Sequence, residues 1–201
     1  MFFLFREKAI HIRNYSYYQY KYSAKLEELI NRQIQAEQQA SQDYLSIAVA
    51  FLHPSISQPG AGGFFMRMHQ EELGHMHDFI HYQLRRGGTP LIGEVKAPTK
   101  MKGIKLLDAF NQALCMEKNI TEVFASFLSA VCVAGEVKDH QCADFITSTF
   151  LMEQMQAVNE ISNHITKLTR LGDNEHAQYH YDLQLSKDYP YSYKMNETKI
   201  H

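Results

Sequence analysis

The chain contains no tryptophan, only five prolines and only three cysteines among its 201 residues. The cysteines are odd in number and none has C-x-x-C spacing, so we expect neither a disulfide framework nor a zinc or redox motif, and a reducing compartment is favoured. The sequence also lacks any apolar run near the ~20 residues that cross a membrane, so no membrane partner is expected. A net charge of −2 supplies no domain-wide positive field, which argues against a nucleic-acid partner.

Glycine and proline divide the sequence into long amphipathic segments, which predict an all-α fold. With 45% hydrophobic and 21% charged residues, the chain can bury the core of one compact domain. Proline at the first turn of the second segment and glycine after the second and fourth segments are typical of helix boundaries. We predict a four-helix bundle with one long crossover between the second and third helices and a short fifth helix. The predicted helices cover residues 24–51, 59–85, 105–134, 140–170 and 175–186.

The two ends of the chain lie outside this predicted bundle. We assign residues 1–23 to an N-terminal extension, residues 24–187 to the helical domain and residues 188–201 to a flexible C-terminal tail. Residues 6–25 carry one acidic and five basic side chains with interleaved tyrosines. This acid-poor composition allows two interpretations, a disordered or surface arm on a cytoplasmic protein or a presequence that directs the chain to mitochondria.

The most informative motif is Glu72-Leu-Gly-His75, an E-x-x-H step on the second predicted helix. Residues three apart face the same way on a helix, so Glu72 and His75 can bind one metal ion. Most helical glutamates are solvated surface charges, and the motif alone is weak. Glu37 adds weight, because it lies 18 residues before Ser55 in the first predicted turn while Glu72 lies 17 residues after it. In an antiparallel hairpin both glutamates are then roughly 26 Å from the turn, at ~1.5 Å per residue.

The second predicted hairpin repeats this arrangement. Around a turn centred on Val137, Glu117 lies 20 residues before the centre and Gln154 lies 17 residues after it. Each hairpin therefore places a pair of metal-capable side chains near the middle of the bundle.

Short motifs along the chain occur in a recognisable order and spacing. They are Asn31-Arg-Gln-Ile34, Tyr44-Leu-Ser46, Glu71-Glu72-x-x-His75, Arg86-Gly-Gly88, Leu114-x-x-Glu117-Lys-Asn119, Asp144-Phe-Ile146 and Glu153-Gln154. Together they resemble the ferritin family, and in particular the heavy, ferroxidase-type chain of eukaryotic ferritins. The resemblance covers about residues 29–182.

The resemblance implies a ferritin-like four-helix bundle with a di-iron ferroxidase centre, at which dioxygen oxidises iron(II). It further implies a ferric oxyhydroxide mineral inside a homo-oligomeric or mixed cage, usually of 24 subunits. The candidate catalytic residues are Glu37, Tyr44, Glu72, His75, Glu117 and Gln154.

Carboxylate and imidazole ligands suit iron(II), a fairly hard cation, and leave positions open for water and oxygen. Glu72 can bridge two metals through its two oxygens. Glu37 and His75 would complete one metal site and Glu117 a weaker second site. The family pattern adds Gln154 to the second site and a hydrogen bond from Tyr44 nearby.

Three functional classes are compatible with these residues. The leading one is an iron-storage ferroxidase. The second is a structural ferritin subunit with impaired iron uptake or transfer that co-assembles with active chains, which the intact ligand set argues against. The third is a soluble di-iron oxidase that keeps its irons. A symmetric di-iron site needs a second E-x-x-H on the fourth helix, and the corresponding step here is Gln154-Met-Gln-Ala157.

Several residues depart from the family pattern. Asp144 matches one acidic ring of the family's threefold channels and is a candidate for iron uptake, but the second position is Thr147 and the turn before it looks longer than usual. Glu71 is a candidate for the transfer path to the mineral, yet Gly74 and His77 stand where heavy chains often place two more carboxylates. We expect a weaker attraction of cations and slower transfer.

Other polar residues on the later helices allow more than one interpretation. His176, His180 and Gln184 recur at intervals of four and would share one face of the fifth helix. Around a fourfold axis they would line a polar, metal-binding pore; otherwise they form a solvated face. Glu160 is ~240° around the helix from Gln154, so we expect Glu160 and His164 to be exposed.

Overall fold

The computed structural model describes residues 22–98, 104–132 and 139–192. These ranges form an antiparallel bundle of long helices and contain no strand, so the predicted all-α bundle with a short extra helix is confirmed. The elements are α1 (Ala24–Leu52), α2 (Pro59–Arg85), α3 (Leu106–Cys132), α4 (His140–Ile146), a π-helical turn (Thr147–Leu151), α5 (Met152–Leu171) and α6 (Glu175–Asp188). The segment from α4 through α5 is the fourth helix of the bundle. No helix in the described ranges is long and apolar enough to cross a membrane.

The helix boundaries follow local chemistry. The Ser23 side chain accepts a hydrogen bond from the Leu26 N–H at 3.1 Å and caps α1. Pro59 is the first residue of α2, where its missing N–H costs nothing. Gly87 and Gly172, which follow α2 and α5, have φ angles of 76° and 65°. This left-handed conformation is accessible to glycine and ends a helix.

The long crossover from α2 to α3 is held by amide side chains on α1. Asn31, Gln35 and Gln39 lie at intervals of four and share one helical face. Asn31 accepts from the Leu91 N–H at 2.8 Å, Gln35 donates to the Glu94 carbonyl at 2.8 Å, and Gln39 accepts from the Lys96 N–H at 2.7 Å. The amides thereby satisfy backbone groups of residues 91–96, a stretch that has no secondary structure of its own.

The core consists of two apolar clusters separated by a polar layer. One cluster includes Ile34, Met76, Ile120 and Phe150; the other includes Tyr44, Met68, Ala113 and Ile161. Each long helix of the bundle carries a buried carboxyl or amide side chain between residues of the two clusters. These side chains are Glu37 on α1, Glu72 on α2, Glu117 on α3 and Gln154 on α5.

The π-helical turn sets the direction of the fourth helix. Cys142, Ile146, Phe150 and Gln154 follow one another at steps of four and are all buried. On an ideal helix of 3.6 residues per turn, each step of four drifts by about 40°. The wider π-helical turn takes up this drift, so Gln154 still faces the interior.

The structure corrects the expected ends of the domain. Tyr22, assigned to the extension, is buried, and its hydroxyl donates to the Gln83 side chain. Tyr189, assigned to the flexible tail, is half-buried; it packs edge-on against Phe64 at 5.0 Å and donates to the Glu160 carboxylate. Both expectations were wrong because each tyrosine has a partner far away in the sequence. The rest of the extension and of the tail, residues 1–21 and 193–201, lies outside the described residues.

The helical angle had suggested that Glu160 and His164 are exposed, but neither residue is exposed in the structure. His164 is buried, stacks on Phe110 at 4.9 Å and contacts the Tyr181 hydroxyl at 2.5 Å. Arg67 of α2 donates to Glu160 at 2.6 Å. The prediction was wrong because α6 and the segment after it cover this side of α5.

Candidate metal centre

The polar layer brings the predicted ligands of α1 and α2 into one group. Glu37 and Glu72 are buried, and His75 is largely so, with 14% of its side chain exposed. One ligand atom from each of Glu37, Glu72 and His75 lies within 4.8 Å of the other two. The His75 Nδ1 atom is 3.3 Å from Glu72 Oε2. Glu37 and Glu72 are nearly the same number of residues from the first turn, and the antiparallel hairpin therefore places their carboxylates side by side.

The two carboxylate oxygens of Glu37 differ in their hydrogen bonds. Its Oε1 atom accepts from Gln33 Nε2 at 2.6 Å. Its Oε2 atom is buried and receives no hydrogen bond from any described N–H or hydroxyl donor. The Glu72 carboxyl is the remaining partner of Glu37, through a shared proton, and a metal ion bound beside Glu72 and His75 would take the place of that proton.

Glu117 forms the other side of the layer with residues from α1 and α5. The Tyr44 hydroxyl donates to Glu117 Oε1, and the Gln154 amide donates to Glu117 Oε2. Gln154 also donates to the Glu117 backbone carbonyl at 3.3 Å. Tyr44 and Gln154 therefore orient the Glu117 carboxylate rather than joining the group on α1 and α2.

Burial dominates the electrostatics of the layer. It raises the pKa of the Glu37 carboxyl well above its usual range, and repulsion from Glu72 adds to the shift. Burial likewise raises the pKa of Glu72; the hydrogen bond with Glu37 lowers it, and the Glu117 charge raises it. For Glu117 burial raises the pKa, while the hydrogen bonds from Tyr44 and Gln154 lower it. Three crowded carboxyls repel one another when ionised, and a bound cation would relieve that repulsion.

Sequence reasoning assigned no role to Glu153, which contacts this centre. Its Oε2 atom lies 3.3 Å from His75 Nε2, on the side of the ring opposite Nδ1. The residue was visible in the Glu153-Gln154 motif, but the side on which it lies depends on the π-helical turn. The pattern of helix periodicity did not indicate that turn.

The remaining candidate residues lie outside the polar layer. Asp144 and Thr147 are exposed on the fourth helix, and the Thr147 hydroxyl donates to the Ala143 carbonyl at 2.6 Å. The Glu71 carboxylate is half-buried and lies 3.6 Å from the Arg67 guanidinium. The turn before α4, residues 133–138, lies outside the described residues.

The histidines of α6 do share a face. The His176 and His180 rings are exposed, and their centroids are 4.5 Å apart. Gln184, four residues further on, is also exposed. A pore lined by these residues stays a prediction.

Comparison with known proteins decides the family. A family profile described as the ferritin-like domain matches residues 27–171, which is well over half of the chain. The chain belongs to the ferritin family. As a ferritin, it binds and stores iron and assembles from several subunits.

Relatives of this ferritin cover most of its length. It is 36% identical to a soma ferritin of Lymnaea stagnalis over 151 residues, which is 75% of this chain and 85% of the relative. It is 35% identical to a ferritin-2 heavy chain of Schistosoma mansoni over 151 residues, 75% of this chain and 86% of the relative. It is 32% identical to a ferritin middle subunit of Salmo salar over 163 residues, 80% of this chain and 91% of the relative. The predicted similarity to heavy-type eukaryotic ferritins is thereby confirmed.

Proposed function

We propose that this ferritin is a ferroxidase that oxidises iron(II) with dioxygen and stores the ferric product inside a cage. The observation that carries the proposal is the buried group of Glu37, Glu72 and His75, whose ligand atoms lie within 4.8 Å of one another. A Glu37 oxygen that receives no hydrogen bond from any described N–H or hydroxyl donor supports a cation at this group. The cage would be a homo-oligomer or a mixed assembly of 24 subunits, as the family resemblance implies.

Iron(II) is the substrate of this reaction, and dioxygen is the electron acceptor. One iron(II) would bind to Glu37, Glu72 and His75, because carboxylate and imidazole suit a fairly hard cation. Each carboxyl with a raised pKa releases its proton more readily as the cation approaches, so binding and deprotonation occur together. The hydrogen bond from Tyr44 holds Glu117 toward the layer for a second iron(II).

The asymmetry of the layer supports release of the product rather than its retention. Glu37, Glu72 and His75 offer two carboxylates and an imidazole, whereas the second site offers Glu117 and the neutral amide of Gln154. A weaker second site lets the oxidised ions leave toward a mineral. Glu71 and Asp144 are proposed as transfer and uptake residues on their positions in the family pattern.

The test is the initial rate of aerobic iron(II) oxidation, followed by absorbance in a stopped-flow instrument. We expect Glu72→Gln and His75→Ala to lower the rate by on the order of 10-fold or more, since even residues that only orient ligands cost 10–100-fold. His77→Ala is the matched control, because His77 is exposed on the same helix two residues away. It should keep the wild-type rate. A wild-type rate equal to that of His75→Ala would contradict the ferroxidase and favour a structural subunit.

A further inference from the structure

The imidazole of His75 lies between two carboxylates that face its two nitrogens. Nδ1 is 3.3 Å from Glu72 Oε2, within the proposed metal site, and Nε2 is 3.3 Å from Glu153 Oε2, outside it. Glu153 belongs to α5 and half of its side chain is exposed, whereas Glu72 is buried. The ring is therefore flanked by one carboxylate that shares the metal and one that does not.

We propose that Glu153 is a positioning residue that keeps the ring proton of His75 on Nε2. A neutral imidazole has one N–H and one nitrogen lone pair, and only the lone pair can bind a metal. The ring proton is attracted to whichever carboxylate it faces, because an ionised carboxylate can only accept. Glu153 draws the proton to Nε2 and leaves the Nδ1 lone pair directed at the iron(II) site. Without Glu153, Glu72 in its ionised form would be the carboxylate that attracts the ring proton, and the proton on Nδ1 would block the ligating atom.

The segment that carries Glu153 also fixes the plane of the ring. Phe150, in the π-helical turn, contacts the His75 ring edge-on at a centroid distance of 5.4 Å and an interplanar angle of 85°. Phe150 is itself buried against Phe79, with ring centroids 4.5 Å apart. The fourth helix therefore restrains both the plane of His75 and, through Glu153, its tautomer. This is how a partner beyond the ligands tunes a metal site.

Glu153 acts through His75 rather than as a ligand in its own right. Among the described residues, the group whose ligand atoms approach one another within 4.8 Å consists of Glu37, Glu72 and His75 and does not include Glu153. Glu153 contacts Nε2, whereas Glu72 of that group contacts Nδ1. The inference rests on the proposed function, because it assigns His75 as a metal ligand.

The test uses cobalt(II), without oxygen, as a redox-stable probe whose visible spectrum reports its ligands. Three substitutions separate charge from tautomer. Glu153→Leu removes the acceptor, and Glu153→Lys replaces it with a side chain that can only donate, which favours the Nδ1–H tautomer. Glu122→Lys makes the same change of charge at an exposed glutamate on α3 and serves as the matched control. His75→Ala provides the spectrum of a site without imidazole.

We expect Glu153→Leu to weaken cobalt(II) binding by on the order of 10-fold, the usual cost of losing a residue that orients a histidine ligand. Glu153→Lys should weaken it further and, at saturating cobalt(II), give the spectrum of His75→Ala. Glu122→Lys should keep the wild-type spectrum. Loss of affinity from charge alone would leave the spectrum at saturation unchanged, so a wild-type spectrum in Glu153→Lys overturns the proposal.

Failure of the proposed function would look different. If wild-type and His75→Ala proteins gave the same cobalt(II) spectrum and affinity, His75 would not be a ligand and the metal site itself would be wrong. If His75→Ala differed from wild type while both Glu153 variants matched wild type, only the role of Glu153 would be wrong. Circular dichroism melts check that each variant folds, and Glu153→Leu carries the test if Glu153→Lys does not fold.

Discussion

Replacing Glu72 by glutamine should stabilise the protein when no metal is bound. Burial, assisted by the charge of Glu117, raises the pKa of Glu72 from 4.5 to about 8. One pKa unit corresponds to about 1.4 kcal/mol, so holding Glu72 ionised at pH 8 costs the folded chain on the order of a few kcal/mol. Glutamine has nearly the same shape and no charge, so the variant does not have this cost.

The sign of the effect depends on pH. The folded state binds the Glu72 proton more tightly than the unfolded state does, so this group's contribution to stability is fully present below its unfolded pKa and is lost as pH rises through the folded pKa. The difference between Glu72→Gln and wild type should therefore be largest near pH 8. It should vanish below about pH 4, where the carboxyl is protonated in both states.

Divalent metal should narrow this difference in stability. An ion at 100 times its dissociation constant adds about 2.7 kcal/mol, and each kcal/mol raises Tm by roughly 2–4 °C in a chain of this size. Wild type should gain this increment from zinc(II), while Glu72→Gln, with one ligand fewer, should gain much less.

The assay is scanning calorimetry at pH 8, with chelator and then with zinc(II), on wild type, Glu72→Gln and the exposed control Glu122→Gln. The control should follow wild type under both conditions. An apparent Tm of metal-free Glu72→Gln at or below that of wild type would refute the claim that the ionised layer is destabilising without metal.

Further predictions concern stability outside the centre. Gly74→Ala should raise stability by about 1 kcal/mol, because a Cβ at this helical position meets nothing within 4 Å. Gly63→Ala should lower it by about 1–3 kcal/mol, because its Cβ would collide with the Tyr189 carbonyl; calorimetry measures both. Asp182→Ala removes the acceptor for two N–H groups of α2, one of them at 2.7 Å, and should cost about 1–3 kcal/mol and speed hydrogen exchange in α6. Burial lowers the pKa of His164. The stability that depends on the neutral imidazole is therefore present above about pH 6.5 and is lost as pH falls through the lowered pKa. The Tm of His164→Phe should be less sensitive to acid than that of wild type.

Much of the fold could be predicted because its boundaries depend on single residues. Pro59 starts α2, and Gly87 and Gly172 end α2 and α5 through the backbone freedom of the residue itself. The shared height of Glu37 and Glu72 along the bundle axis was predictable, because antiparallel helices advance by the same rise per residue. Neither inference requires knowledge of distant contacts.

The features that were missed depend on contacts between distant segments. Tyr22 is held by Gln83, and Tyr189 by Phe64 and Glu160, and nothing in the periodicity of either segment indicates these partners. The contact of Glu153 with the metal centre depends on the π-helical turn, which shifts the register of the fourth helix.

The measurement that tests the central claim most directly is the iron retained per chain after aerobic loading with iron(II) and recovery of the particle by size exclusion. We expect a large shell that retains far more iron than the two ions per chain that the polar layer can hold. The same loading of Glu72→Gln should oxidise and retain iron more slowly. A wild-type plateau at two irons per chain or fewer would contradict storage and leave a di-iron enzyme or an inactive subunit.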